Sequence, residues 1–261
     1  MNINLQHKKA LVGGSTAGIG KAIAQQFAES GASVTLMSHS EDKLKKIVNE
    51  LPTDQGQKHQ FLVVDFSDFE SYQQLISAYF EKNTVDILVN NTQGPPAGKA
   101  LEKDVSDYQE AFDLLFKVMM YTTELAVKNM RENKWGRIIN VASVSVRQPL
   151  PYLTLSNTLR SAVVNWAKGL ATEVGPDQIT VNSVLTGFFD TQRFRDLNTK
   201  KAKDGGISEA EVLKEREAAV ALGRIGDVKE YGYLAAFLAS EQAAYITGTQ
   251  IPIDGGLLKG M

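Results

Sequence analysis

The sequence contains no cysteine and only three histidines among its 261 residues. The absence of cysteine excludes disulfide bridges, thiolate zinc sites and cysteine nucleophiles, and it fits the reducing environment of the cytoplasm. The histidines, at positions 7, 39 and 59, are too scattered for a zinc site of the HExxH type. We therefore expect a cytoplasmic protein without a metal site.

The sequence also has no large excess of charge of one sign, since it contains 28 Lys and Arg residues and 30 Asp and Glu residues. A chain so nearly balanced lacks the basic surface that nucleic acid requires. No apolar run approaches the roughly 18–20 residues of a membrane span, and the beginning of the chain has no apolar stretch of signal-peptide length. The expected partner is a small-molecule substrate, with no role for nucleic acid or a membrane.

Short β-branched runs alternate with amphipathic stretches, which is typical of βαβ units and a parallel sheet. The runs predict seven strands, at Lys9–Gly13, Ser33–Met37, Gln60–Asp65, Asp86–Asn90, Arg137–Ala142, Thr180–Leu185 and Thr249–Ile253. Helical patterns lie at about residues 18–30, 41–50, 68–82, 103–132, 152–174 and 228–239. The expected fold is α/β, a single domain over residues 1–261 with a doubly wound parallel sheet and helices on both faces.

The segment of residues 188–220 interrupts this alternation. It is polar, contains Gly205–Gly206 near its middle, and lies between a strand and a helix. It could be a plain surface excursion. We favour a substrate lid over a pocket at the C-terminal ends of the strands, where long loops commonly carry function.

A glycine-rich turn follows the first predicted strand and precedes a helical segment. Free backbone N–H groups and the helix dipole at such a place favour a bound anion. The spacing differs from the usual G-x-G-x-x-G, and no Gly-Lys-Ser/Thr of a Walker loop follows. The strand–turn–helix context still predicts a pyrophosphate site. Its expected residues are Gly14, Ser15, Thr16, Gly18, Ile19 and Gly20.

Polar residues at other strand ends indicate a dinucleotide. A carboxylate at Asp65 could accept a hydrogen bond from an adenine amino group. Sites that select NAD carry an acid at the end of the second strand, whereas this sequence has Ser38-His39-Ser40 there. We therefore expect NADP(H) to be favoured over NAD(H). The cofactor-binding residues expected from these strand ends are Ser38, His39, Ser40, Asp65, Phe66, Asn91, Thr92 and Gln93.

Taken in order, these motifs resemble those of the short-chain dehydrogenase/reductase family, and its 3-oxoacyl-acyl-carrier-protein reductase branch most closely. LVGGSTAGIG is similar to the family's TGxxxGIG loop, with Gly13 in place of Thr. ILVNN is similar to its NNAG strand, with Thr92-Gln93 in place of Ala-Gly. GRIINVASVSV is similar to the strand that carries the active-site serine, which maps to Ser143.

The resemblance covers nearly the whole chain and implies several further properties. It implies a Rossmann-like sheet, NAD(P)(H) binding and a homo-oligomer, a tetramer or a dimer. It also implies that the segment after the sixth strand holds the nicotinamide amide. The residues that this assigns to the cofactor are Thr186, Gly187, Phe188 and Thr191.

The catalytic positions depart from the family's pattern of Tyr-x3-Lys thirteen residues after the serine. Counting from Ser143 reaches Ser156 and then Arg160, while the family's helix Asn falls on Leu115. Serine is a much weaker acid than a phenol, and arginine stays protonated and cannot relay a proton. Arg160 can still bond the cofactor's ribose and stabilise an oxyanion. The site therefore lacks an evident proton donor.

Three functions remain open. In the first, which we favour, the protein is an NAD(P)(H)-dependent oxidoreductase acting on a carbonyl or hydroxyl group. Its catalytic residues would be Ser143, Ser156, Arg160 and Tyr152, and the proton would come from Tyr152, Ser156, water or the substrate. In the second, the protein binds the cofactor but is catalytically impaired and acts as a sensor or structural partner. In the third, the cofactor serves an isomerisation or elimination.

Residues around the expected pocket give a first indication of the substrate. Tyr152, Ser156 and Arg160 are four positions apart, which predicts one shared helix face. Arg147 and Arg193 could hold a carboxylate or phosphate. Several aromatic side chains in the same region suggest an apolar or ring-bearing substrate.

Overall fold

The computed structural model describes residues 3–260 and has a seven-stranded sheet at its centre. The strands are β1 (Lys9–Gly13), β2 (Ser33–Ser38), β3 (Gln60–Val63), β4 (Ile87–Asn90), β5 (Gly136–Val141), β6 (Ile179–Thr186) and β7 (Gln250–Ile253). The helices are α1 (Gly18–Glu29), α2 (Glu41–Glu50), α3 (Phe69–Phe80), α4 (Val105–Phe112), α5 (Val118–Asn133), α6 (Thr154–Val174), α7 (Gln192–Gly205), α8 (Glu209–Ala219) and α9 (Val228–Ala239).

All neighbouring strands are parallel, in the order β3-β2-β1-β4-β5-β6-β7. The direction of winding reverses between β1 and β4, and open α/β sheets bind their ligands at the carboxyl ends of strands beside such a reversal. The prediction of a single seven-stranded, doubly wound parallel sheet is confirmed. Among residues 3–260, no helix has the length and apolar character needed to cross a membrane.

Two apolar layers cover the sheet, because strands with helices on both faces are buried on both sides. On one face α1, α2 and α9 pack through side chains such as Phe27, Leu44 and Tyr231. On the other face α3, α5 and α6 pack through side chains such as Ile76 and Leu159. The sheet is therefore a rigid support for the residues at its carboxyl edge.

The long helix predicted over residues 103–132 is present but contains a local irregularity. A π-helical turn, Asp113–Lys117, joins α4 to α5. Such turns insert an extra residue into a helix and often mark functional sites. Leu115 lies in this turn, and its side chain is buried.

Residues 188–220 differ most from the sequence expectation, because the structure folds most of them into a helical hairpin. Thr191 caps α7 by accepting a hydrogen bond from the Phe194 amide over 3.2 Å. Gly206 has a φ of +63°, which allows the chain to reverse. Ser208 and Glu211 then form a capping box that starts α8. We call α7 and α8 together the helical hairpin.

Tyr152 is not part of α6, which begins at Thr154. The prediction that Tyr152 shares one helix face with Ser156 and Arg160 is therefore wrong. Pro151 does not start the helix, and the chain forms a turn in which the Tyr152 carbonyl accepts a hydrogen bond from the Gly98 amide over 2.8 Å. This turn lets Tyr152 point in a direction of its own.

Candidate active site

The glycine-rich turn packs tightly against the end of β4. A Cβ atom on Gly13 would lie 2.3 Å from the backbone oxygen of Asn91, and one on Gly20 would lie 2.2 Å from the oxygen of Gly14. Gly14 and Gly18 have φ values of +56° and +52°, which favour glycine. The close packing explains why glycine stands at position 13, where the resembling family has threonine.

Asn91 connects the turn to the sheet. Its side-chain Nδ2 donates to the carbonyl oxygen of Gly13 over 2.9 Å. Ser15 is buried, and its Oγ accepts a hydrogen bond from the Met37 amide at the end of β2 over 3.0 Å. Hydrogen bonds to the end of β2 and to the residue after β4 thus fix the turn on two sides, and the N-terminus of α1 follows it. This is the arrangement that a pyrophosphate group needs.

At the end of β2, the three residues expected to face a 2′-phosphate occupy different environments. Ser38 is buried, and its hydroxyl shares a hydrogen bond of 2.9 Å with the hydroxyl of Thr16. His39 is exposed and Ser40 is partly exposed. The structure therefore brings Ser38 against the glycine-rich turn and leaves His39 open to a ligand.

Asp65 and Phe66 follow β3 and point into different surroundings. Asp65 is exposed, and its Oδ1 accepts hydrogen bonds from the Ser67 amide and hydroxyl over 2.8 and 2.5 Å. These bonds lower the pKa of the Asp65 carboxyl, so Oδ2 is a charged acceptor. The Phe66 ring is buried against Tyr72, with 5.5 Å between the ring centroids. Only Asp65 has a side chain suited to a hydrogen bond with a cofactor.

Ser143 lies just after β5, at the start of a short 3-10 turn. Its Oγ accepts a hydrogen bond from the Ser145 amide over 3.1 Å. The hydroxyl hydrogen can therefore be donated to a substrate oxygen. This is the role that the resemblance implies for Ser143.

Ser156 and Arg160 are bonded to each other on α6. Arg160 Nε donates to Ser156 Oγ over 3.3 Å, and Arg160 Nη1 donates to the carbonyl oxygen of Val141 at the end of β5. Burial lowers the pKa of the Arg160 guanidinium to about 10, an effect that Tyr231 opposes and Arg193 adds to. Arg160 still carries its charge at neutral pH. It places a fixed positive charge at the carboxyl edge of the sheet.

A small cavity of about 20 Å³ adjoins Arg160. A space of this size holds roughly one water molecule. Its walls bring together residues predicted separately for cofactor binding and for catalysis. They include Phe66, Asn91, Thr92, Leu115, Val141 and Arg160. The structure thus places Arg160 in the same cleft as the end of β4, while Gln93 lies exposed beyond it.

The segment after β6 is fixed by close packing. The Thr186 hydroxyl donates to the Tyr231 phenol over 3.2 Å. A Cβ atom on Gly187 would lie 2.6 Å from the Cα atom of Asp254. Thr191 reaches the glycine-rich turn, because its methyl carbon would lie 3.1 Å from a Cβ atom on Gly18. The start of the helical hairpin therefore lies beside the expected pyrophosphate site.

The two arginines expected to hold an acidic group differ in position. Arg147 Nη2 donates to the Gln250 carbonyl oxygen of β7 over 3.2 Å, so its guanidinium is engaged at the sheet edge. Arg193 Nη2 donates to the Pro95 carbonyl oxygen over 2.6 Å. This bond connects α7 to the loop after β4. Arg193 therefore bridges the cleft, whereas Arg147 does not.

Arg216 on α8 was not identified from the sequence, yet it contacts a predicted catalytic residue. Its Nη2 donates to the Tyr152 hydroxyl over 2.7 Å. Its guanidinium lies 4.8 Å from the centroid of the Phe188 ring and 5.6 Å from that of Tyr152. The capping box at Ser208 could have indicated the helix, but nothing in the local sequence indicates where Arg216 points.

The family model described as Enoyl-(Acyl carrier protein) reductase matches residues 14–258. Oxidoreductase UcpA of Salmonella typhimurium is 34% identical, over 97% of this chain and 95% of its own. The 3-oxoacyl-[acyl-carrier-protein] reductase FabG of Haemophilus influenzae is 33% identical, over 97% of this chain and 99% of its own. The chain belongs to the short-chain dehydrogenase/reductase family.

Solved structures of this family superpose over the whole fold. L-sorbose reductase from Gluconobacter frateurii, complexed with NADPH and L-sorbose, gives a TM-score of 0.92 at 29% identity and covers 100% of both chains. YwfH, an NADPH-dependent reductase involved in bacilysin biosynthesis, gives a TM-score of 0.91 at 27% identity and covers 97% of this chain and 99% of its own. The whole fold of this chain is therefore that of solved members of the family.

Ser156 and Arg160 stand where the resemblance implies the family's Tyr and Lys. The glycine-rich turn, Asn91 and Ser143 stand at the carboxyl edge, as the resemblance implies. The hydroxyl of Ser156 and the guanidinium of Arg160 satisfy each other. A phenol hydrogen-bonded to a cation occurs at Tyr152 with Arg216, which come from two different parts of the chain.

Proposed function

We propose that the protein is an NADP(H)-dependent oxidoreductase that interconverts a carbonyl and a hydroxyl group on a small molecule. The main observation behind this proposal is that Arg160 and the C-terminal ends of β1 and β4 line the same cavity. A cation there stabilises negative charge on a substrate oxygen, and it lies next to the cradle for a nucleotide. This arrangement supports a cofactor on the glycine-rich turn beside the small cavity and a substrate oxygen near Arg160.

The residues of the cleft fit a nicotinamide dinucleotide. The turn from Gly14 to Gly20 has no room for side chains at its closest contacts, so a pyrophosphate can approach the backbone. We propose that Asp65 holds the adenine, Arg160 the ribose, and the segment from Thr186 to Thr191 the nicotinamide amide. When bound, the cofactor supplies or accepts a hydride.

The end of β2 supports a preference for NADP(H). His39 and Ser40 are accessible and offer hydrogen-bond donors, and the stretch Ser38-His39-Ser40 has no carboxylate that would repel a 2′-phosphate. One relative also supports this preference for NADP(H). BacG of Bacillus subtilis, which is 28% identical over 98% of this chain and 100% of its own, is described as an NADPH-dependent reductase.

The chemistry on the substrate would rest on three side chains. Ser143 donates a hydrogen bond to the carbonyl oxygen, and Arg160 stabilises the charge that develops there. We infer that Tyr152 gives the proton. Its hydroxyl oxygen already accepts a hydrogen bond from Arg216, so the phenol hydrogen is directed elsewhere and can go to the substrate. Ser156 would then position Arg160 rather than act as an acid.

We further propose that the helical hairpin is the lid of this site. Thr191, the N-cap residue of α7, lies beside the glycine-rich turn. Arg193 on α7 donates a hydrogen bond to the Pro95 carbonyl oxygen across the cleft. Arg216 on α8 reaches Tyr152. A lid with such contacts would exclude water from the reacting groups when it closes. Cytoplasmic location and a homo-oligomer, a tetramer or a dimer, remain predictions from the sequence.

The alternative is a cofactor-binding protein with impaired catalysis. It is favoured by the residue types, because serine and arginine stand where the resemblance implies a phenol and an ammonium, and neither is a good proton donor at neutral pH. The two proposals share the cofactor and differ only in turnover.

Calorimetry with NADPH and NADH, together with NADPH oxidation over a panel of carbonyl compounds, separates these possibilities. We expect NADPH to bind more tightly than NADH and at least one carbonyl compound to be reduced. Tyr152→Phe should lower kcat by about a hundredfold or more, because a general acid is lost, with NADPH affinity unchanged. Tyr245→Phe, at a fully exposed tyrosine, is the matched control. NADPH binding without turnover on any compound would favour the impaired protein instead, and NADH binding as tight as NADPH would reject the cofactor preference.

A further inference from the structure

The side chain of Arg216 is buried beneath the helical hairpin without a carboxylate partner. It exposes only 9% of its surface. Among residues 3–260, no acidic side chain lies within ion-pair distance of it, and its buried Nε has no hydrogen-bond partner. One bond, from Nη2 to the Tyr152 hydroxyl, is the only hydrogen bond seen for this guanidinium within that part of the chain.

A second buried arginine shows how different this is from the usual arrangement. Arg137 exposes 2% of its surface, pairs with Glu241 over 3.4 Å, and also donates to the carbonyl oxygens of Gly136, Gln178 and Ser240. Buried charges in proteins are ordinarily compensated in this way, because removing an ion from water is unfavourable unless a counter-charge and hydrogen bonds replace the solvent. Arg216 has neither a counter-charge nor a full set of bonds.

The surroundings of Arg216 lead to the proposed substrate site. Tyr152 lies two residues before the start of α6, which carries Ser156 and Arg160. Phe188 lies two residues after Thr186, where β6 ends. The guanidinium therefore lies between the two chain segments that enter the site. The Phe188 ring in turn lies 5.6 Å from the Phe194 ring, so the walls here are aromatic.

We propose that Arg216 binds a carboxylate on the substrate, and that the substrate is a carbonyl or hydroxy acid with an apolar, ring-bearing body. This inference rests on the proposed oxidoreductase function for the identity of the reacting group. One buried guanidinium compensates one negative charge, which suits a carboxylate. The free Nε offers it a charge-assisted hydrogen bond, and the rings of Tyr152 and Phe188 cover the apolar body.

Binding can be measured without turnover, on the whole protein saturated with NADP⁺. We would titrate phenylacetate and its neutral amide, phenylacetamide, by calorimetry into the wild type, Arg216→Gln, Arg216→Lys and Lys214→Gln. The last change removes a positive charge from the exposed side of the same helix and is the matched control. NADP⁺ affinity, measured on each variant, reports whether the fold is retained.

We expect the wild type and Lys214→Gln to bind phenylacetate about tenfold to a hundredfold more tightly than the amide, since hydrogen bonds to charged groups contribute on that scale. Arg216→Gln should abolish the preference, and Arg216→Lys should retain part of it. The proposal is overturned if the wild type shows no preference for the carboxylate, or if Arg216→Gln binds NADP⁺ normally and keeps the preference. Should Arg216→Gln fail to fold, the wild-type comparison and Arg216→Lys still decide.

A kinetic arm separates this inference from the proposed function. NADPH oxidation would be followed with an aryl-substituted 2-oxo acid and with its methyl ester. Reduction of the ester but not of the acid, with no carboxylate binding, would overturn the role of Arg216 and leave the oxidoreductase intact. Carboxylate binding that depends on Arg216, without turnover of any carbonyl compound, would support the acid site and count against the oxidoreductase.

Discussion

Arg160 donates a hydrogen bond from its Nε to the hydroxyl oxygen of Ser156 over 3.3 Å, so the two residues that the resemblance assigns to the family's Tyr and Lys positions are bonded to each other. The same guanidinium donates to the Val141 carbonyl. The Ser156 hydroxyl keeps its own hydrogen, but an alcohol is a much weaker acid than the phenol that the resemblance implies at this position. The pair therefore acts as a fixed positive charge at the end of β5, and its members should contribute unequally to function.

The first prediction concerns this inequality. Arg160→Ala should weaken NADPH binding by about tenfold or more, because a charge-assisted contact to the ribose is lost. Ser156→Ala should change it by less than about threefold, since the hydrogen bond that it removes joins Ser156 to Arg160 and does not reach the cofactor. Calorimetry gives both values. If Arg160→Ala binds NADPH as well as the wild type does, the placement of Arg160 beside the ribose is wrong.

The second prediction restores the family's pair. Ser156→Tyr together with Arg160→Lys should raise reduction of simple neutral ketones, because a phenol beside an ammonium would return a proton donor worth about a hundredfold or more in rate. Ser156→Tyr alone, beside the unchanged Arg160, is the control and should gain less. NADPH oxidation rates test this. An absent gain in a double variant that still binds NADPH would indicate that Leu115 or the pocket shape also blocks the reaction.

The sheet could be predicted from the sequence because its signals are local. In β5 every residue is buried, and its β-branched residues Ile138, Ile139 and Val141 appear directly in the sequence. The glycine-rich turn, Asn91 and Ser143 also follow strands in short motifs, so their positions at one edge follow from the parallel topology. Each of these residues is placed by its immediate neighbours along the chain.

Tyr152 and Arg216 could not be brought together in this way. They are 64 positions apart, and the bond between them depends on where the helical hairpin packs. The two helices within residues 188–220 could not be recognised from the sequence, because most of their residues are exposed and polar and give no clear apolar periodicity. Tyr152 was expected on α6, but its four-residue spacing from Ser156 carries no weight outside the helix. Tertiary packing decides both points.

The third prediction tests the tight glycine cradle with two helical glycines. Gly20→Ala should destabilise the protein by about 1–3 kcal/mol, because the new methyl group would meet the Gly14 carbonyl and the backbone would have to move. Gly169→Ala is the matched control, since a Cβ atom there meets nothing within 4 Å. It should stabilise α6 by about 0.5–1 kcal/mol.

Urea unfolding measures the change in stability of both variants. Equal effects of the two changes would show that the packing around Gly20 is not tight. NADPH affinity should fall only in Gly20→Ala.

The fourth prediction is a pH dependence at the start of α9. Two hydrogen bonds from Arg224, of 2.6 and 2.9 Å, and one of 2.8 Å from the Asp227 amide lower the pKa of Glu230 to about 2. A carboxyl whose pKa falls on folding stabilises the native state above its ordinary pKa, and that contribution disappears as the pH falls towards 2. Because both side chains are more than a third exposed, solvent screening limits this contribution to about 0.5–1 kcal/mol.

The Glu230→Gln side chain still accepts a hydrogen bond from the Asp227 amide but cannot titrate. The free energy of unfolding of this variant should therefore decline less than that of the wild type between pH 5 and pH 3. Glu132→Gln, at an exposed carboxylate of α5, should follow the wild type. Parallel declines for wild type and Glu230→Gln in urea unfolding would mean that the Arg224–Glu230 pair contributes nothing in solution.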